Sequence, residues 1–549
     1  MTRKFKSYEE MREKFTWDDF IHKNLDWDPA QRFNIAHEAV DRHAKDPKKV
    51  ALFYISPEGR EEKYTYRELK HLSSKFANVL KKLGVDKGDR VARMLPRCPE
   101  NYITFMGVWK AGAVDIPLYT AFGPEAVEQR VKDAGAKVLV TDSENRSKLD
   151  QIVGGLPGVE IIVVSGERGL GIRRDDLSFH HEMANASQDF ETVETKAEDL
   201  AVIQYTSGTT GPPKGAMLSH GSIICLLPYP RFSLAVQEDD MFWGFADPGW
   251  TYGLLTAGSV VLVMGGSLLV YSGRFDARTW YEIMQKYEVT NFSAAPTAYR
   301  TVIAAGDDLP QQYKLKVRRL SSAGETMNPE SSLWFQKHFG VSISDQYGAT
   351  ETGMAMGNYP FMKEKPGSMG KSCPGFEVAI MDEEGNQLAP GQTGLLAVRR
   401  HKYLLGQGYW NDPEKWEARF IKGEWFNTGD LAATDEDGYY FYKGREDDII
   451  SSSGYRIGPA EIEGTLLEHP AVVEAAVVGK SDPQRGELVK AFIVLKAGFE
   501  PSGDLGKELQ NLVRDRYSKH AYPREIDFLP ELPKTESGKV MRRELRKRA

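Results

Sequence analysis

The sequence predicts an α/β protein in two parts: a large N-terminal domain of mostly parallel sheets with flanking helices, and a small, mobile α+β domain at the C-terminus. Three observations lead there. The chain has 549 residues, and at roughly 150 residues per domain it holds more than one folding unit. Strand-like and helix-like segments alternate through residues 65–141, and parallel neighbours need a crossover that packs as a helix. Beyond the cluster Ser451-Ser452-Ser453-Gly454 short strands are set among helices, so the chain is expected to divide as 1–446 and 447–549, with a mobile boundary at the Gly/Ser-rich stretch.

The elements follow in order. Thr65 with Glu68 three residues on is a capping box, and Leu69, Leu72, Phe76, Val79, Leu80 and Leu83 recur at helical spacing up to Gly84. That marks both ends of one amphipathic helix. A strand over 90–95, a helix over 99–110, a strand over 113–118, a helix over 125–133 and a strand over 137–141 come next. Near the end a helix starts at Pro459, strands cover 472–478 and 488–495, a helix covers 505–517 and a strand covers 526–529. Residues 248–273 carry no charge, but six glycines and several Ser and Thr interrupt the apolar run. Buried helix, turn and strand are expected there rather than a membrane span.

Composition excludes several classes. With 41% hydrophobic and 27% charged residues the chain is ordinary globular protein, neither disordered nor fibrous. Lys and Arg number 71 against 78 Asp and Glu, a net charge of −7. The chain as a whole has no electrostatic attraction for nucleic acid or anionic lipid, and an anionic ligand needs a local positive site. Cys98, Cys225 and Cys373 are an odd number with no CxxC pair, so neither a disulfide framework nor a zinc site is expected. The first twenty residues mix basic and acidic side chains and lack the apolar core of a secretory signal. A cytoplasmic protein without integral membrane or nucleic-acid partners is expected.

Chemistry enters at Tyr205-Thr206-Ser207-Gly208-Thr209-Thr210-Gly211-Pro212-Pro213-Lys214-Gly215, directly after the apolar segment 200–203. Glycines let backbone N–H groups approach an anion, hydroxyls add donors, and a lysine adds charge where water is partly excluded. The loop suits a polyphosphate. It is not a Walker A loop, because Gly215 and not Ser or Thr follows Lys214.

This segment resembles the signature loop of the AMP-forming adenylate ligases, which comprise acyl-CoA synthetases, peptide-synthetase adenylation domains and beetle luciferases. Gly324-Glu325-Thr326, Asp345-Gln346-Tyr347-Gly348-Ala349-Thr350-Glu351-Thr352-Gly353, Thr428-Gly429-Asp430, Gly444-Arg445-Glu446-Asp447, Gly454-Tyr455-Arg456 and Pro533-Lys534-Thr535-Glu536-Ser537-Gly538-Lys539 occur in the family's order. Together they span most of the chain and place it nearest the acetyl- and medium-chain acyl-CoA synthetases. The resemblance implies two half-reactions: a carboxylate displaces pyrophosphate from ATP to give an acyl-adenylate, then the thiol of coenzyme A displaces AMP.

Site roles follow from the resemblance, position by position. Thr206, Ser207, Gly208, Thr209, Thr210, Gly211 and Lys214 would cradle the phosphates. Glu351 would hold Mg2+ and Thr350 the α-phosphate. Tyr347 would stack on adenine, with Gly324, Glu325, Thr326, Asp345, Gln346 and Gly348 around the base. Asp430 would clamp the ribose, with Arg445 and Arg456 near ribose and phosphates. Lys539 would be the adenylation lysine, bridging two anions, and a position open to acylation that switches its charge off. The small domain would turn about Asp447 to present first Lys539 and then Ser453 and Gly454, where a glycine lets the pantetheine arm pass.

The acid and the acceptor are read the same way. Acetyl-CoA synthetases of this family carry a tryptophan where this chain has Gly348, so the pocket lined by Trp250, Tyr252, Ala294, Ala323 and Gly348 is expected to take a medium-chain, branched or aryl acid. Each buried methylene adds roughly 0.8 kcal/mol. Arg146 and Lys148 lie where related enzymes hold the coenzyme's nucleotide phosphate. The chain ends ten residues after Lys539, so free coenzyme A is expected as acceptor. The alternatives are delivery to a carrier protein, or an enzyme specific for acetate or propionate.

Overall fold

The computed structural model describes residues 5–164, 171–206, 213–237, 239–325, 327–452, 455–482, 486–516, 521–534 and 539–549. Its contacts form two compact units. The first comprises Met1–Pro366, Gly370–Glu377 and Arg400–Arg419, and the second Gly367–Met369, Val378–Arg399 and Phe420–Ala549.

Two large sheets organise the first unit. In one of eight strands the order is Gly406–Tyr409, Lys214–Ser219, Leu200–Thr206, Val114–Pro117, Arg90–Met94, Val138–Asp142, Glu160–Val164 and Leu177–Ser178. Pairing is parallel from Leu200–Thr206 onward and antiparallel across the first three strands. The other runs Ile343–Asp345, Arg319–Ser322, Asn291–Ala294, Met241–Phe245, Ser267–Tyr271, Val50–Ile55 and Glu61–Thr65. Only its last pair is antiparallel. Parallel strands buried on both faces demand apolar residues on both, and Val138–Asp142 and Val114–Pro117 are correspondingly buried almost throughout.

The helix predicted after Thr65 runs Tyr66–Lys82 with the full capping box: Glu68 N–H donates to Thr65 Oγ1, and Thr65 N–H donates to Glu68 at 2.8 Å. Its apolar stripe packs on helix Pro99–Lys110, where Gly107 is needed because a Cβ would lie 2.9 Å from Phe76 and from the Ser73 carbonyl. Helix Pro124–Ala134 and strand Val138–Asp142 match the predicted alternation.

The uncharged stretch is buried helix followed by strand. Tyr252–Ser259 winds as a π-helix, Val260–Val263 continues as α-helix, and Ser267–Tyr271 enters the seven-stranded sheet. Crowding explains its glycines: a Cβ on Gly253 would lie 2.2 Å from the Asp247 carbonyl oxygen, and one on Gly258 2.4 Å from that of Gly253. Among the described residues no helix is long and apolar enough to cross a membrane.

The second unit holds two antiparallel arrays. Val378–Met381, Gly394–Arg399, Trp425–Thr434, Phe420–Ile421 and Tyr440–Arg445 form one. Tyr455–Ile457, Ile450–Ser452, Gly486–Leu495 and Val472–Asp482 form the other, with Glu525–Phe528 parallel to Gly486–Leu495. Helices Pro459–Leu467 and Gly503–Arg516 cover the second array, packing Ile462, Leu466, Leu509 and Val513 onto Val477, Val489 and Ile493. The expected division after residue 446 falls inside this unit, because Tyr440–Arg445 pairs along Trp425–Thr434. Segments 378–399 and 420–446 pair with one another in the first array and belong to the same unit as the C-terminal residues.

Candidate active site

The phosphate loop joins two paired strands. Leu200–Thr206 and Lys214–Ser219 are antiparallel, with Thr206 opposite Lys214 and Tyr205 opposite Gly215. Ser207, Gly208, Thr209, Thr210 and Gly211 lie outside the described residues, as does Thr326. Thr206 Oγ1 donates to the Lys214 carbonyl at 3.4 Å. Pairing makes both flanks rigid, and Gly215 is required because a Cβ there would lie 2.7 Å from Ile203.

Beside this hairpin is a cavity of about 230 Å³, lined by Arg130, Asp133, Tyr205, Lys214, Tyr409 and Lys415 among others. Burial, with Lys415 and Arg419 nearby, holds the Lys214 ammonium below its usual pKa, and Glu351 pulls it back up. A cation depressed in this way is relieved by an anion. No motif pointed to Lys415, Arg419 or Tyr409. They sit about two hundred residues from Lys214 and arrive through the pairing of Gly406–Tyr409 with Lys214–Ser219. Lys214→Ala should raise the KM for ATP about tenfold or more, the scale of one charge-assisted contact, measured by AMP release at varied ATP.

Glu351 and Thr350 stand where two elements meet. Tyr409 Oη donates to Glu351 Oε1 at 2.9 Å, and the Gly406 N–H donates to the Glu351 carbonyl at 2.7 Å. Thr350 Oγ1 lies 3.2 Å from Thr251 Oγ1. Among the described residues no three His, Cys, Asp or Glu side chains cluster as a metal cage. A single half-buried carboxylate fits Mg2+ that is shared with phosphates, because that ion is usually held by one or two carboxylates plus substrate oxygens. Glu351 would hold it, and when bound it neutralises phosphate charge.

Tyr347 is buried in the short strand Tyr347–Ala349, with Asp345 and Gln346 just before it. Burial raises the Asp345 carboxyl to about 8. Its Oδ1 and both polar atoms of Gln346 are buried without hydrogen-bond partners. Three orphaned buried polar atoms in adjacent residues are a site for a polar ligand edge, since each otherwise costs about 1–3 kcal/mol. Gly324 has φ +94 and open space at its Cβ position, whereas Glu325 accepts from Thr297 Oγ1 and Arg300 Nη2, each at 3.1 Å.

The acyl-side residues come together only in part. Trp250 packs on Tyr119 and Phe122 with centroids at 5.4 and 6.2 Å, and its indole N–H is buried without a partner. Tyr252 Oη lies 2.6 Å from Ser293 Oγ and 3.1 Å from Tyr229 Oη, closing a buried hydroxyl chain that continues to Ser321. Ala294 and Ala323 end the neighbouring strands Asn291–Ala294 and Arg319–Ser322, Ala323 standing one residue beyond its strand. Gly348 does not leave open space. A Cβ there would lie 2.5 Å from the Gly353 carbonyl oxygen and 2.7 Å from Met354 Sδ. The position at which a missing indole was expected to open space is crowded by this chain's own backbone and Met354.

Arg146 and Lys148 also differ from expectation. Arg146 is buried and its fork is taken by carboxylates: Nε and Nη2 reach Asp176 at 2.7 and 3.0 Å, and Nη1 reaches Asp150 at 2.8 Å. Lys148 Nζ donates to the Thr120 carbonyl and to Asn145 Oδ1. Both side chains tie helix Ser143–Leu149 to its surroundings and present no open cation to a phosphate.

In the second unit Asp430, Arg445 and Asp447 form a chain. Arg445 Nη1 donates to Asp430 Oδ1 at 3.0 Å and Nε to Asp447 Oδ1 at 3.3 Å. Burial opposes the Arg445 charge, but these two carboxylates outweigh it and raise its pKa. Asp447 lies in the single turn Glu446–Asp448. Lys539 is exposed. Its segment is tied on both sides, by Lys534 to Glu474 and by Arg542 to Glu463 at 2.7 Å and Asp448 at 3.2 Å. Ser453, Gly454 and residues 535–538 lie outside the described residues, and for Arg456 only the backbone of Tyr455–Ile457 is described.

The model of the AMP-binding enzyme family matches residues 40–410, and that of the AMP-binding enzyme C-terminal domain matches residues 461–539. An acetyl-coenzyme A synthetase of Bacillus subtilis (strain 168) is 41% identical, over 98% of this chain and 95% of that protein. The crystal structure of a Brucella canis acyl-CoA synthetase superposes with a TM-score of 0.78 at 39% identity, over 98% of both chains. The anthranilate CoA ligase AuaEII, solved with anthranoyl-AMP, gives 0.86 at 30% identity, over 97% of this chain and 99% of that one.

Proposed function

The chain belongs to the AMP-binding enzyme family and is an AMP-forming acid–thiol ligase that uses ATP to join a carboxylic acid to coenzyme A, and we propose a division of labour among its residues and a preference for acids larger than acetate. The observation that carries the division of labour is Lys214 at the end of the phosphate hairpin, lining one cavity with Lys415, with Arg419 and Glu351 near enough to act on its charge. A carboxylate is a poor electrophile because its charge repels a nucleophile. Its oxygen attacks the α-phosphorus of ATP, the α–β phosphoanhydride bond breaks, and pyrophosphate leaves. Lys214 and its neighbouring cations stabilise charge that grows on the leaving group, which is electrostatic catalysis.

Thr350 donates to the α-phosphate, Asp345 and Gln346 meet the base edge with Tyr347 against its face, and Asp430, fixed by Arg445, accepts from the ribose hydroxyls. Lys539 supplies the cation for adenylation. In the second half-reaction the coenzyme thiolate attacks the acyl carbonyl and the C–O bond to AMP breaks. Ser453 and Gly454 serve that step, with the hinge at Asp447, while Arg456 acts with Arg445 on the ribose and phosphates. Acylation of the exposed Lys539 would remove its charge and stop adenylation. A cytoplasmic location is part of the same reading.

Trp250, Tyr119 and Phe122 offer an aromatic wall, and Ala294 and Ala323 offer small strand ends, which supports a medium-chain, branched or aryl acid. The anthranoyl-AMP bound by one structural relative is an aryl acyl-adenylate. A second reading, an acetate or propionate enzyme, draws on Met354 and Gly353 filling the space beside Gly348. The two are separated by kcat/KM across acetate, butyrate, octanoate, 2-methyl acids and benzoate, and by Met354→Ala. That substitution removes a flexible gap-filler and should favour longer acids by about tenfold per added pair of methylenes. Gly348→Trp should destabilise the first unit rather than switch substrate, since the Gly353 backbone cannot yield. A stable variant that turns over only acetate would contradict this.

A further inference from the structure

A second polar cavity lies in the first unit, away from every residue assigned above. It measures about 400 Å³ and is lined by Lys23, Asp26, Arg42, His43, Lys45 and Arg231, with Leu25, Val263 and Met264 as its apolar part. Val263 closes the helical run that starts at Tyr252, beside the acyl candidates. At about 1.5 Å per residue the cavity is on the order of 15 Å from that end.

Charge in this cavity is unevenly satisfied. Arg42 is accounted for, since Nη1 pairs with Glu38 at 3.0 Å and Nη2 donates to the Val263 carbonyl. Asp26 is paired with His37 at 2.8 Å. Lys23 Nζ lies 3.5 Å from Asp19 on its own exposed helix face. Arg231 is different. It is half-buried in the turn Tyr229–Ser233, and among the described residues its guanidinium has neither an ion pair nor a hydrogen bond. Burial alone lowers its pKa, with no carboxylate acting on it. Lys45 forms no ion pair there, although Asp26 lies near enough for the two charges to act on each other. His43, held down to about 4 by burial and by Arg42, is neutral at pH 7 and adds no charge of its own.

A guanidinium taken partly out of water without a counterion is costly unless something supplies the anion. Its planar fork matches two oxygens of a phosphoryl group. The cavity is of small-molecule size, and its short apolar edge suits an organic body of a few carbons. We propose that this cavity is a binding site for a small soluble phosphate monoester, with Arg231 as its anchor and Lys45 as the second cation.

The test reads the site locally. The intact protein is labelled with 13Cε1-histidine, the His43 signal is assigned with His43→Gln, and inorganic phosphate and pyrophosphate are titrated at constant ionic strength. A saturable shift of the His43 signal is expected, with a midpoint weakened about tenfold in Arg231→Gln and about threefold in Lys45→Gln, whose exposed position spares the fold. No saturable shift through the tens of millimolar range overturns the proposal, and so does an equal shift in both variants. Co-sedimentation with phosphatidylglycerol vesicles that depends on Arg231 would overturn the soluble ligand in favour of a lipid headgroup.

Discussion

Lys539→Ala is expected to lower acyl-adenylate formation about 10²–10³-fold, the scale on which a single preorganised charge stabilises a transition state. Transfer from supplied acyl-adenylate to coenzyme A should fall by less than tenfold. The two rates separate because the ammonium is needed only where two anions, carboxylate and α-phosphate, must meet. Its segment is held by Lys534–Glu474 on one side and Arg542–Glu463 on the other, so the substitution removes a charge without unfastening the chain. Pyrophosphate exchange reports the first step and thioester formation the second. Equal losses in both would mean a structural role for Lys539, and an adenylation rate within tenfold of the parent would remove it from the chemistry.

Asp115→Asn is expected to destabilise the first unit by about 3–5 kcal/mol, the cost of leaving one member of a buried ion pair alone. Arg93 and Asp115 both have 0% exposure in neighbouring strands of the eight-stranded sheet. The guanidinium grips the carboxylate through Nε at 3.0 Å and Nη2 at 2.8 Å. Burial pushes the Asp115 carboxyl up and Arg93 pulls it back. Arg93 also reaches the Pro248 carbonyl at 3.4 Å, so the pair supports the turn that presents Trp250. The charge argument predicts that Arg93→Met/Asp115→Leu loses less stability than either single change. Thermal and denaturant unfolding of the three variants decide this, and a change below about 1 kcal/mol in Asp115→Asn would contradict it.

Local structure was legible from sequence wherever one segment carries its own signal. The capping box at Thr65 and Glu68 and the alternation over 90–141 depend on residues within a few positions, and each appears as expected. The π-helix at Tyr252–Ser259 was not legible, because its close backbone approaches at Gly253 and Gly258 appear only once the chain is folded. Nor was the antiparallel array that joins 378–399 to 425–434, which rests on strand pairing between distant segments.

The site divides in the same way. Lys214 and Glu351 were readable in their motifs, but their neighbours Tyr409, Lys415 and Arg419 come from an edge strand, the helix after it and the residues just beyond that helix. Gly348 shows the limit of reading a pocket from one position. Removing a side chain opens space only if nothing else moves in, and here Met354 does. Arg146 shows the same limit for charge, since a basic residue near a ligand region can already be spoken for by Asp150 and Asp176.

The measurement that tests the central claim most directly is AMP release from ATP, with and without coenzyme A, across acids from acetate through octanoate, 2-methyl-branched acids and benzoate. Multiple-turnover AMP release that requires both an acid and coenzyme A, with equal pyrophosphate and a kcat/KM that peaks beyond acetate, is the predicted result. Turnover indifferent to coenzyme A would contradict the ligase assignment, and a kcat/KM highest for acetate would contradict the proposed acid.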